Sequence, residues 1–329
     1  MRKIITIDDL TIVVLDSGET YQKIGLTPEE FNIVANSESD NEILEIFHPK
    51  IKEVREQVRV LEEFEDRVRN SNLLEWKNDA VYFPIVSDLS LPKELAESIL
   101  EAESLNDTLK IETYKNFWTL MCLNKDEECR NNLYAFLMRH DFKIAKCGFF
   151  VAYRNVDKTA IPEVFTDHHS HTFRIRIGEM VTMPRENCDC SSQNECSRGL
   201  HLAGSNWLDR NYFGTQGLVC LCSPSDVVAV PERSDYGKLR TCAYLPIDVV
   251  NYNTNGKVIP YPKETGFECD LVPMVIYEGI MGTESSTTYK FEIPEVPGIT
   301  KDRITDNLLE IAKNCIIDRN ILYDSQQES

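Results

Sequence analysis

The residues in this chain best suited to chemistry crowd into one stretch. Four of its six histidines and three of its eleven cysteines fall between positions 168 and 201. They read His168-His169-Ser170-His171, then Cys188-Asp189-Cys190, then Cys196-Ser197-Arg198-Gly199-Leu200-His201. Thiolates and imidazoles together favour zinc in a tetrahedral site. The spacing is irregular, because Cys188 and Cys190 sit one residue apart instead of two to four. Two other readings stand beside zinc. One is a loop of free thiols whose histidines bond the backbone. The other is a catalytic pair, with Cys196 as nucleophile and His169 or His201 as its base. Arginines recur nearby at expected strand ends: Arg154, Arg185, Arg198 and Arg240. In an acidic chain they could line an anion or nucleotide pocket; the alternative is surface arginines with local carboxylate partners.

Such side chains must be held by a scaffold, and the chain supplies one in an ordered series. Residues 3–24 read as a hairpin, with Ile5, Ile7, Ile12 and Val14 in the strands and Asp16-Ser17-Gly18 as the turn. Thr27-Pro28-Glu29-Glu30 starts a helix, with Thr27 and Glu30 at capping-box positions. Over 38–70 the three- and four-residue spacing of apolar positions predicts an amphipathic helix. A short β unit turns at Asn78-Asp79, and residues 92–140 form a helical layer. From Gly148 the pattern changes to short strands, including 149–153, 217–222, 227–230 and 240–250, which together predict a mostly antiparallel sheet. Residues 251–300 are irregular to β, and 300–318 form an amphipathic helix. The expected class is α+β, with 1–146 a mixed hairpin and helical region, 147–250 a Cys/His-containing β domain, and 251–329 an extension with a C-terminal helix.

Bulk properties narrow the functions. Acids outnumber bases by 54 to 35, a formal charge of −19, which repels phosphate backbones and argues against general nucleic-acid binding. No apolar stretch reaches membrane-spanning length, and the first residues lack a signal-peptide core. A soluble protein with reduced thiols is expected. No Walker loop, dinucleotide fingerprint, Gly-x-Ser-x-Gly or kinase set is found; Thr265-Gly266-Phe267 and Gly279-Ile280-Met281-Gly282 are unspecific glycine patterns.

Ordered blocks between 148 and 244 carry a resemblance. They are Gly148 to Val156, His169-Ser170-His171-Thr172-Phe173, Met183-Pro184-Arg185, Cys196 to His201, Pro224 to Pro231, and Lys238 to Tyr244. In this order they resemble the RIIB lysis-inhibition family of T-even-type bacteriophages. The upstream hairpins and helices follow that family more loosely. The chain departs from it in lacking a helix-turn-helix-like N-terminal stretch and in extending through 251–329. Where this chain has Cys188 to Cys190, the T-even sequence is acidic, and an Asp in the place of Cys190 is still compatible with a metal ligand. The resemblance therefore selects His169, Cys190, Cys196 and His201 as the ligand set, with Cys188 as alternate. It implies a phage accessory protein acting with an RIIA-like partner in the host cytoplasm, peripheral to the inner membrane through that partner. Such a protein counters exclusion by a prophage or host defence protein and affects lysis timing. Three readings result: a non-enzymatic interaction protein, an enzyme using His169, Cys196 and His201 on a nucleotide or nucleic-acid substrate, and a structural zinc module.

Overall fold

The computed structural model describes residues 2–37, 39–208, 214–231, 237–259, 274–277, 288–291, 295 and 297–311. The two glycine patterns, the end of the expected 300–318 helix, and Cys269 and Cys315 lie outside these residues. The architecture is α+β, and the chain forms two compact units, residues 1–70 and 71–329.

In the first unit the expected hairpin is a three-stranded antiparallel meander: β1 (Lys3–Ile7), β2 (Leu10–Val14) and β3 (Thr20–Ile24). The added strand comes from a tight turn at Asp8, whose φ of +52° lies in the left-handed region that Asp tolerates. Helix α1 (Pro28–Asn36) starts with the capping box of Thr27 and Glu30, the side chain of each accepting the other's backbone N–H. The long helical stretch is two helices, α2 (Asp40–Phe47) and α3 (Pro49–Arg69). Pro49 explains the break, since it lacks an N–H and tolerates only a first-turn position. Val13, Leu15, Val34 and Ile43 make this unit's core. Alternation sends Ile5, Ile7 and Ile24 to the other side of the sheet, where they are 47, 58 and 74% exposed.

The second unit begins with the antiparallel strands β4 (Glu75–Lys77), β5 (Ala80–Phe83) and β6 (Ser87–Leu91). Asn78 and Asp79, both at positive φ, form the predicted turn. Helices α4 (Lys93–Ser104), α5 (Thr108–Cys122) and α6 (Glu127–Arg139) follow. A seven-stranded antiparallel sheet then uses β7 (Lys143–Ile144), β8 (Phe150–Lys158), β9 (Val164–Thr166), β10 (Arg174–Arg176) and β11 (Val181–Thr182). After β12 (Leu200–Leu202) and the one-turn α7 (Ser205–Leu208), β13 (Gln216–Cys222) returns to its centre. The order is β10-β9-β8-β13-β16-β11, with β7 on β8. Gly148 admits the chain into β8: it has φ +87°, and a Cβ there would lie 2.5 Å from the Asn116 carbonyl carbon.

The apolar run 240–250 divides between two sheets. Strand β15 (Leu239–Thr241) pairs with β12 on one side and β14 (Val227–Ala229) on the other in a small sheet, whereas β16 (Ala243–Val249) joins the large one. The break falls at Cys242, whose N–H bonds to the Asp226 carbonyl instead of a strand. Tyr153 of β8 exchanges both backbone bonds with Ala203, fastening the small sheet to the large one. The expected change of pattern near 147 therefore marks a change from helix to sheet inside the second unit. Near the C-terminus β17 (Met274–Tyr277) and β18 (Thr288–Phe291) pair in parallel, and 301–311 are helical. No described helix is long and apolar enough to cross a membrane.

Candidate functional site

Two loops carry the histidines and cysteines, and each is held by one polar side chain that folds the backbone around it. Asp167, buried at the end of β9, holds the first. Its Oδ2 accepts the Ser170 N–H at 2.7 Å and the Ser170 hydroxyl at 2.8 Å. Its Oδ1 accepts the N–H groups of Thr172 and Phe173 at 3.1 and 3.0 Å. Burial alone would raise this carboxyl, but the bonds from Phe173 and Ser170 outweigh it and hold it at about 2. His168 turns its Nδ1 to Asp157 at 2.9 Å, and His171 lies 3.8 Å from the same carboxylate. His169 is exposed at the loop surface.

Arg240 holds the second loop. It is fully buried on β15, opposite His201 of β12. Its Nε donates to the Asp189 carbonyl at 2.9 Å, and its two terminal nitrogens donate to the carbonyls of Asn194 and Ser191. Asp189 works from inside the loop, accepting Ser191 N–H at 3.0 Å and the Asn194 amide at 2.8 Å. The Ser197 hydroxyl and these two donors hold its carboxyl at about 2. Gly199 lets the chain pass the arginine: its φ is +148°, and a Cβ would stand 3.3 Å from Arg240 Cδ. The guanidinium thus gathers the backbone of the loop around itself.

The cysteines of that loop point elsewhere. Cys190 and Cys196 are exposed, and Cys196 Sγ accepts from Lys238 Nζ at 2.9 Å. Cys188 is half-buried, which pushes its thiol up. Among the described residues no three His, Cys, Asp or Glu side chains gather closely enough to hold a metal ion. The expected ligands His169, Cys190, Cys196 and His201, with Cys188 as alternate, therefore do not form one site here, and the arrangement does not fit zinc. Six other cysteines, including Cys122, Cys220 and Cys242, are buried, and burial raises those three thiols to about 12. They pack as small apolar side chains.

The His201 imidazole is strongly altered by its surroundings. Burial first, then the positive charges of Lys238, Arg154 and Arg240 and the nearby His169, lower it to about 3. It is a neutral imidazole at physiological pH. Arg154 on β8 donates to the His201 carbonyl at 2.9 Å and lies 5.4 Å over the Tyr244 ring. Arg154 Nε, His201 Nε2 and the Tyr244 hydroxyl are buried without a hydrogen-bond partner among the described residues.

Nor do the four arginines line one anion pocket. Arg185 donates to the Ser225 and Val227 carbonyls, both at 2.9 Å, and to Asn124 Oδ1 at 2.8 Å. Asn124, fully buried, donates in turn to the Pro224 and Val227 carbonyls at 2.8 Å. Arg185 and Arg240 thus hold backbone, Arg154 joins the buried cluster, and Arg198 is exposed. The residues that sequence reasoning missed are Asp167, Asp189, Asn124 and Tyr244. Asp167 had a local signal, since an Asp three residues before a Ser is a turn-forming pattern; Asn124 had only its short turn to Asp126, because the carbonyls it donates to lie a hundred positions away.

The family model described as "Bacteriophage T4 protein rIIB" matches residues 92–254, the span containing both loops and both sheets that hold them. Protein rIIB of Enterobacteria phage T4 is 24% identical over 241 residues, covering 72% of this chain and 73% of that protein. No solved structure matches. With the ordered blocks, the matched span and this relative in agreement, residues 92–254 of the chain belong to the bacteriophage T4 rIIB family.

Proposed function

We propose that this phage protein acts by binding protein partners and not by catalysis. The supporting observation is the use made of the side chains in the shared blocks. Arg185 and Arg240 bind backbone carbonyls; Asp167 stiffens the segment 167–173 and Arg240 the segment 188–198. These segments place His169, Cys190, Glu195 and Arg198 at the surface. A loop ordered before contact loses little entropy when a partner docks, which is a property of recognition surfaces. The partner implied by the family is an RIIA-like phage protein, and through it the chain would reach the inner face of the host membrane. Countering a prophage or host defence protein and altering lysis timing would follow from that assembly. The net charge of −19 agrees with protein partners over nucleic acid.

Affinity capture of the tagged chain from infected cells tests this. The RIIA-like protein should co-purify, and the double change Cys190→Arg, Arg198→Glu should weaken capture at least tenfold without lowering the melting temperature. Recovery of no phage or host protein in repeated captures would remove the proposal.

A second reading, an enzyme acting on a nucleotide with His169, Cys196 and His201, draws on the three unpartnered buried atoms of Arg154, His201 and Tyr244. It requires that mononucleotides raise the melting temperature of the wild-type chain and not of Arg154→Met. An unchanged melting curve with each of the common mononucleotides would end it.

A further inference from the structure

We propose that α3 is a homotypic interface through which two copies of this chain pair antiparallel. Val54, Val58 and Leu61 are 56, 48 and 49% exposed, although each is apolar. Their spacing of four and three places them along one stripe of the helix. The opposite side is already engaged in short-range ion pairs: Arg59 meets Glu56 at 2.6 Å and Glu63 at 3.5 Å. That side belongs to solvent; on the apolar side Val68 is already buried within the fold, and Val54, Val58 and Leu61 are the part left to cover.

The order of charges along the helix argues for what covers it. Positions 49–59 contain four basic and two acidic residues, and positions 60–69 contain four acidic and two basic ones. A parallel copy would set like charge on like. An antiparallel copy sets each half against its opposite, so the helix is its own electrostatic complement. The helix is neutral as a whole, which spares this contact the repulsion expected between two chains of charge −19. With Val58 and Leu61 as successive core positions of a heptad, position 55 of one copy falls beside position 62 of the other. Those positions are Arg55 and Glu62. This goes beyond the partner binding proposed above and does not depend on it, since α3 lies outside residues 92–254.

Sedimentation of the full chain over a range of concentrations tests the proposal, with circular dichroism confirming that each variant is folded. The wild type should be dimeric at micromolar concentration, and Val58→Glu should raise the dimer dissociation constant at least a hundredfold. Arg55→Glu and Glu62→Arg should each weaken the dimer alone. An equimolar mixture of those two variants should restore it, because antiparallel pairing then sets opposite charges together at both contacts. A wild type that is monomeric throughout, a dimer indifferent to Val58→Glu, or a mixture that fails to restore pairing would each overturn the proposal.

Discussion

At the scale of single residues, a polar group here matters through what it holds. Arg240 is a full charge with no exposed surface, and such a charge is tolerated only when its donors are met. Arg240→Met removes the charge but leaves the carbonyls of Asp189, Ser191 and Asn194 without donors. Urea unfolding should show a loss of about 3 kcal/mol or more, and a loss under about 1 kcal/mol would contradict this role. His201 gives a pH signature. Its folded value is near 3 and the unfolded imidazole titrates near 6.5, so the fold holds the neutral form. Its contribution is complete above about pH 6.5 and is lost as pH falls, because the unfolded chain then takes up a proton that the folded chain does not. Between pH 7 and 5 this should remove about 2 kcal/mol, at about 1.4 kcal/mol per unit below 6.5. His201→Gln should flatten that part of the curve; an unchanged slope would refute the assignment. Asp167 and Asp189, depressed to about 2, contribute above the ordinary carboxylate range and lose that contribution only as pH falls from about 3.8 toward 2. They therefore do not blur the His201 window.

At the scale of elements, termini and junctions decide where the strands and helices go. Thr27 caps α1 with both bonds of the capping box in place. Thr27→Ala should cost about 1 kcal/mol, read as a lower urea midpoint with an unchanged m-value. Asn124 has a longer reach. It follows α5 and bonds both ends of the segment Pro224 to Val227, while also receiving Arg185 and the Asp126 N–H. Asn124→Ala should cost about 3 kcal/mol and speed amide exchange in β14 and β15 more than in β1 to β3. Uniform exchange across both units would refute this junction role. The division of 239–249 into β15 and β16 belongs to the same scale. A single apolar run reads as one strand, but the bonds of Cys242 N–H and the Thr241 hydroxyl to the Asp226 carbonyl part it between two sheets.

At the scale of the whole molecule, the chain divides at residue 70, and the family match lies entirely within the second unit. Mild proteolysis should therefore give a persistent fragment beginning close to Ser71, with the melting behaviour of the sheet-containing unit. Digestion without any such product would contradict the division. The first unit carries two open apolar surfaces, the isoleucine face of its sheet and the stripe of α3. Exposed patches of this kind mark contact surfaces more often than they mark catalysis.

Local signals determined much of this protein from the sequence alone. The capping box at Thr27, the turn at Asn78-Asp79, the helical layer over 92–140 and the antiparallel class all rest on neighbours within a few positions, and each is present in the structure. The ordered blocks likewise fixed the family. The placement of the side chains in the Cys/His segment was decided only by tertiary structure. Composition drew attention to the thiols and imidazoles, whose types suit zinc whatever their placement. Their actual placement depends on Arg240, more than forty positions away, whose guanidinium binds the loop from inside and turns Cys190 and Cys196 outward. Long-range hydrogen bonds between a side chain and distant backbone leave no periodicity or spacing to read, and in this protein those bonds shape the candidate surface.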